Sequence, residues 1–252
     1  VRRMERLMRL KSFPVALKLL PDKADLETIP FIRRPEHKAT FCQLINRVRN
    51  FDWTVGADAE DLIFPSCSSM LGLADTPPSH KDGTFRSIVW TKSRADGRKY
   101  ENGVPRIPTG KYEAVIMAPL VYNPFDPDMV LIYANPAQMM LLINALQFED
   151  YEIMQFYCVG ESSCSDAIAR CYLNGKPSLT IPCYGERRYG HAQDDEVHRE
   201  LRIHPGCFGE QEGSQDPLSV VTKAVEHCCN SLVGSRGSPI ATGTRLASRI
   251  KI

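Results

Sequence analysis

The sequence predicts an α/β or mixed α+β fold, a single domain whose central mixed sheet is flanked by helices. Three observations carry this. Strand and helix patterns alternate from 112 to 185. Two apolar, β-rich runs, YEAVIMAPL (112–120) and MVLIYA (129–134), bracket the turn-forming NPFDPD and read as buried strands. No stretch is rich enough in Gly, Pro or charge to force a second domain. The domain is therefore drawn over 1–234, with 235–252 as a basic C-terminal tail.

The elements follow in order. MERLMRL (4–10) reads as a short amphipathic helix and FPVALKLL (13–20) as a strand beginning through Pro14. Phe41, Leu44, Ile45 and Val48 recur at helical spacing in EHKATFCQLINRVRN. DWTVGAD (52–58) is a short strand, and Pro65-Ser66 precede a helix in CSSMLGLAD. The stretches 76–84 and 93–110 are predicted as loops from their Gly and Pro content. After the two buried strands, Asn135 caps a helix running to 148, with Pro136 at the first position, where its missing N–H costs nothing. YEIMQFYCV (151–159) is predicted as a strand, and SSCSDAIARCYLNG (162–175) as a helix closed by Asn174-Gly175. SLTIPCYG (178–185) and EVHRELRIH (196–204) read as strands. DPLSVVTKAVEHCCNSLV (216–233) reads as a last amphipathic helix capped by Asp216.

Composition narrows the function classes. A net charge of +1 gives no general reason to expect nucleic acid or a membrane surface as partner. The longest apolar stretch, 129–146, is broken by Asn135, Pro136, Gln138 and Asn144, whereas a membrane span needs about 20 nearly unbroken apolar residues. The opening VRRMERLMRLKSF lacks the compact apolar core of a secretory signal, so a cytoplasmic location is expected. Nine cysteines, odd in number, irregularly spaced and without a CxxC pair, argue against a disulfide framework, a thioredoxin site or a zinc ribbon. GxGxxG, Walker, GxSxG and HExxH patterns do not occur.

The cysteines remain. SCSSMLGL (66–73) and SCSDAIAR (163–170) each set a thiol between serines at the start of a helix-like run. Their flanks do not align as an internal repeat. A third cysteine sits in TFCQLINRV (40–48) and a fourth in TIPCYGERR (180–188). A helix start favours the thiolate, the form that binds metals and attacks electrophiles. Cys67 and Cys164 hold such places, Cys42 follows the candidate cap Thr40, and Cys183 is expected exposed at a strand end. All four are expected at one end of the sheet, where open α/β folds place ligands.

FPVALKLL, FCQLINRVR, CSSMLGL, GKYEAVIMAPL, FDPDMVLIYANPAQMMLLINAL, SSCSDAIA and GKPSLTIPCYGERRY…DDE stand in the order seen in the DUF169 family. Over roughly residues 5–205 the chain resembles that family, which occurs mostly in archaea and anaerobic bacteria and has no assigned activity. The resemblance implies a selection among the thiols: Cys42, Cys67, Cys164 and Cys183 stand at family positions. Cys158, Cys171, Cys207, Cys228 and Cys229 do not. After 205 the chain departs from the pattern: GCFGEQEGSQ reads as an insertion and the tail as an addition.

Four thiolates on separate elements suit an iron–sulfur cluster or a structural zinc. The cluster is preferred, as [4Fe–4S], because zinc knuckles with two nearby ligands are absent and the family's setting is anaerobic. The expected function is an electron-transfer or accessory subunit of an anaerobic enzyme system, with a protein partner or homo-oligomer. Two alternatives stay open: a small-molecule enzyme using Cys164 or Cys183 as a reactive thiol assisted by Arg187, and a non-catalytic interaction subunit whose cysteines simply pack. Arg187-Arg188 with Asp194-Asp195 either hold a small anionic ligand or form an ion-paired loop. Asn135, Pro136 and Gln138 either line a pocket or cap a helix. Lys18 either faces outward or is a buried charge facing the site.

Overall fold

The computed structural model describes residues 1–148, 151, 153–193 and 197–202. The predicted helix 216–233, the tail, Asp194, Asp195, Cys207, Cys228 and Cys229 lie outside the described residues. Helix α1 (Arg2–Met8) leads to strand β1 (Val15–Leu20), a 3-10 segment (Lys23–Thr28), α2 (Phe41–Phe51) and β2 (Val55–Asp58). Four short helices follow: α3 (Pro65–Met70), α4 (Pro78–Lys81), α5 (Thr84–Val89) and α6 (Arg94–Gly103). Strands β3 (Ala114–Pro119) and β4 (Met129–Ala134) precede α7 (Pro136–Leu146). A π-helix (Ser162–Ala169) runs into α8 (Arg170–Asn174), and β5 (Ser178–Thr180), α9 (Tyr184–Tyr189) and β6 (Val197–Arg202) complete the described chain.

The fold is mixed α and β, as predicted. Six strands lie in the order β2-β3-β1-β4-β6-β5. The sheet, expected to be mixed, pairs antiparallel between all these neighbours; among the described residues parallel pairing is confined to two isolated bridges, Arg33–Val55 and Ala39–Leu62. The reason is that β1 inserts between β3 and β4, with Val15 opposite both Pro119 and Leu131. NPFDPD therefore passes the end of β1 instead of closing a hairpin. Strand alternation then divides the core. Val15, Leu17, Leu19, Met129, Leu131 and Tyr133 face α2, α3 and the π-helix. Ala16, Val130, Ile132 and Ala134 face α1 and α7. Both faces are covered, which is why β3 and β4 are apolar throughout.

Several local expectations are corrected. The predicted loop 93–110 contains α6, started by Ser93, whose hydroxyl accepts the Asp96 N–H. Gly97 is not a breaker there: a Cβ would lie 2.3 Å from the Gly83 carbonyl, so the glycine permits close packing of α6 on the α4–α5 turn. The predicted loop 76–84 contains α4 and the start of α5. The predicted strand 151–159 is not a strand in its described residues. At its end the Val159 and Gly160 N–H groups donate to the buried Asp166 carboxylate instead of to a sheet neighbour. The predicted strand 178–185 stops at Thr180, and Pro182 leads straight into α9. Asn135 and Gln138 form a reciprocal capping box, and Gln138 Nε2 also holds the Met8 and Arg9 carbonyls 2.8 Å away. Those residues cap and brace. Among the described residues no helix is long and apolar enough to cross a membrane.

Candidate functional site

The four family-positioned cysteines come from four different elements. Cys42 lies in the first turn of α2, whose start is fixed by Thr40 and Gln43: Thr40 Oγ1 accepts the Gln43 N–H at 3.0 Å, and Gln43 Oε1 accepts the Thr40 N–H at 2.9 Å. Cys67 is the third residue of α3, which Pro65 opens. Cys164 is the third residue of the π-helix, a wide-turn element that concentrates at functional positions. Cys183 is the N-cap of α9, not the sheet-edge residue expected from the sequence. Its N–H donates to Ser162 Oγ at 2.9 Å, which ties the start of α9 to the start of the π-helix.

The fold brings the four thiols together. Cys42 stands against Cys183 and Cys164 against Cys67, each pair close enough for one thiol to shift the titration of the other; Cys42 also feels the charge of Cys67 and Cys183, and Cys164 that of Cys67, Cys42 and Cys183. A Cβ added at Gly185 would lie 3.6 Å from Cys183 Sγ and 3.7 Å from Cys42 Sγ. Gly190 allows α9 to press on α2: a Cβ there would stand 3.0 Å from the Cys42 carbonyl oxygen. Each pair joins one buried sulfur, Cys42 or Cys164, to one half-buried sulfur, Cys183 or Cys67. Among the described residues, no group of three or more His, Cys, Asp or Glu side chains is set to hold a metal ion as it stands. The sulfurs stand as two thiol pairs.

The pairing sets the electrostatics. The hydrogen bond to Cys183 comes first, and burial second, in pushing the Cys42 thiol well above its ordinary value. The same bond, joined by the Ser162 hydroxyl, brings Cys183 down to about 6 against the opposing effects of burial and the Glu186 charge. The pair therefore shares a proton that Cys42 keeps and Cys183 releases. Cys164 is pushed well up by its bond to Cys67 and by burial.

Beneath the thiols lies a polar floor that sequence reasoning missed. Glu186 is buried; Tyr133 Oη donates to its Oε1 at 2.6 Å and the Ser162 hydroxyl donates to its Oε2. The Arg49 guanidinium stands 3.6 Å over the Tyr133 ring. Burial, then the Glu186 charge, lift the Tyr133 phenol well above its ordinary value. Glu186 had a local signal: it stands three residues after the N-cap Cys183, the spacing of a capping box. Arg49 had only its register, one turn after inward-facing Ile45. A second buried group anchors the same start of the π-helix through the preceding residue. Arg86 is ion-paired with Glu101, at 2.5 Å, and with Glu161, the residue before Ser162, while Arg106 also binds Glu101.

The other expected residues are placed as follows. Arg187 lies on α9, and its Nε donates to the Pro182 carbonyl at 3.2 Å, next to Cys183. Lys18 sits on the β1 side away from the thiols and its Nζ reaches the Asp126 carbonyl at 2.8 Å, so it faces outward. Cys171 is buried in the core, and Cys158 is exposed.

Comparison with known proteins places the chain in context. The DUF169 family, described as "Uncharacterised ArCR, COG2043", matches residues 3–200. The uncharacterized protein MJ0308 of Methanocaldococcus jannaschii is 25% identical over 207 residues, covering 77% of this chain and 83% of that protein. No solved structure matches.

Proposed function

The chain belongs to the DUF169 family, and on that premise we propose that it is an iron–sulfur protein, an electron-transfer or accessory subunit of an anaerobic enzyme system. Cys42, Cys67, Cys164 and Cys183 are its cluster ligands. The observation that carries this reading is the meeting of four thiols from four elements, spread over more than a hundred residues of sequence, at one place. Packing alone does not require such a meeting.

Cys42 and Cys164 hold their protons because of the bond to the neighbouring thiol, then burial, then the charge of the other cysteines. Ligation to a metal centre lets all four ionise and releases those protons. An all-sulfur donor set suits zinc or an iron–sulfur cluster, and the family's anaerobic setting favours iron. When bound, such a cluster supplies one-electron redox chemistry. The chain's own residues do the rest. Ser162 and Glu186 fix the backbone that carries Cys164 and Cys183. Arg187, beside Cys183, adds positive charge against an all-thiolate site. Exposed Phe64, Ile181 and Tyr184 border Cys67 and Cys183 in sequence and offer a partner an apolar approach.

The test is iron, sulfide and zinc content with an absorption spectrum, on protein isolated without oxygen. About four irons and four sulfides per chain with a broad band near about 400 nm are expected, and any one of the four cysteines changed to Ser should lose bound iron. Zinc alone would make the site structural. No metal would move the reading to a dithiol enzyme. The pairing of half-buried Cys183, its thiol at about 6, with buried Cys42 favours that second reading. It predicts one hyper-reactive cysteine, Cys183.

A further inference from the structure

Next to Cys42 the outer face of α2 forms one side of a cleft of about 240 Å³. Phe51, Trp53 and Tyr189 supply aromatic walls, and Gln43, Asn46, Arg47 and His191 supply polar groups. Among the described residues no carboxylate lines it. The hydrogen bonding of the two amides decides what the cleft offers. Gln43 Oε1 already accepts the Thr40 N–H at 2.9 Å, and Asn46 Oδ1 accepts from Asn50 Nδ2 at 2.6 Å. Each amide oxygen is thus already engaged once, while the NH₂ groups of both amides remain as uncommitted donors. Arg47 likewise only donates. Two guanidiniums add charge: Arg33 stands 4.3 Å and Arg47 5.6 Å over the Trp53 ring.

From this we infer a second site, a binding cleft for a small aromatic carboxylate. The fixed positive charge of Arg47, joined by the two amide NH₂ donors, favours an anion, and Arg47 matches a carboxylate by its planar fork. Flat aromatic walls select a planar body over an extended chain. The volume is at or below the small end of the usual range for small-molecule pockets, about 300–1,000 Å³, so the ligand is small. The cleft adjoins the thiol site through α2: Gln43 follows Cys42, and Gly190, between Tyr189 and His191, packs on the Cys42 carbonyl. The inference does not depend on what the thiols hold.

The experiment uses the full chain carrying Trp90→Phe, which leaves Trp53 as its single tryptophan reporter. Trp90 is exposed and away from the cleft. Benzoate is titrated against Trp53 fluorescence, with benzamide (the ring without the charge) and acetate (the charge without the ring) as controls. Benzoate should bind saturably with a Kd of about 1 mM or tighter, and both controls about tenfold more weakly or worse. Arg47→Gln should weaken benzoate about tenfold with an unchanged thermal midpoint, and Asn46→Ala should weaken it less. No saturable change, benzamide binding as tightly as benzoate, or an Arg47→Gln variant with undiminished affinity would each overturn the inference.

Discussion

On one face of the sheet, α1 and α7 cover Ala16, Val130, Ile132 and Ala134 with Met4, Met8, Met139, Leu142 and Ala145. Among the described residues, no buried charged or polar side chain belongs to either helix. On the opposite face the same sheet supports Arg49, Glu186, Ser162 and Asp166, all buried, with Arg86 and Glu101 buried beside Glu161, just before the π-helix. Burying polar groups costs free energy unless each is matched by a partner, and this face matches many of them, although Arg86 Nη2 and Ser163 Oγ are buried with no hydrogen-bond partner among the described residues. The difference teaches where the fold gathers fixed polar groups. One face is packed for stability; the other spends stability to hold groups in fixed places, and the four thiols are on that side.

The comparison is most easily broken at Arg86. Arg86→Met leaves buried Glu101 and half-buried Glu161 without that guanidinium, with Arg106 still ion-paired to Glu101. Stranding such charges costs about 3–5 kcal/mol, read as a lower urea midpoint. A loss under about 1 kcal/mol would mean the network is not stranded by the change, and the polar face would lose its special status. On the apolar face, Leu142→Ala should cost about 3 kcal/mol from lost burial and the cavity left behind. Its second readout separates the faces: the alkylation pattern of the four site thiols should not change. Tyr133→Phe is smaller. It keeps the ring under Arg49 and removes one donor from the buried Glu186 carboxylate, a loss of about 1–3 kcal/mol. Combined with Ser162→Ala, which removes another donor, the effect should be non-additive, since both act on one carboxylate.

What could be read from the sequence follows the range of each interaction. The buried strands β3 and β4, the capped start of α7 and the helix at 41–51 were legible, because apolar runs, Asn135-Pro136 and 3.6-residue spacing are local signals. The antiparallel order of the sheet was not, because the insertion of β1 between β3 and β4 is a tertiary choice that neither strand records. α6 was missed because Gly97 and Gly103 look like breakers, yet Gly97 is present for its contact with Gly83. The stretch 151–159 is strand-like in composition, but the Asp166 carboxylate captures its end. At the site, the sequence could flag the four cysteines, but not that they stand as two pairs. Glu186 and Arg49 were passed over because a charge is ordinarily a surface residue, and only the fold reveals that these two are buried.

The finest contrast lies between two capping boxes, one on each side of the sheet. Thr40–Gln43 starts α2 and Asn135–Gln138 starts α7 with the same reciprocal bonds. Thr40→Ala and Asn135→Ala should each cost about 1 kcal/mol. Only Thr40 lies two residues before a site thiol, so only its loss should be felt at Cys183. In metal-free wild-type protein the Cys183 thiol, held at about 6 first by the Cys42 hydrogen bond, is thiolate above that value. Its alkylation rate should therefore rise through about pH 6 and level off by about pH 7. Thr40→Ala loosens the first turn of α2, weakens the donor at Cys42 and moves that midpoint upward, toward the ordinary thiol value of 9.0. Asn135→Ala, with the same lost cap on the other face, should leave the alkylation profile unmoved. Equal shifts in both variants would mean that the thiol pair reports general loosening of the fold; a shift in Thr40→Ala alone would mean that the start of α2 was built to hold Cys42 against Cys183.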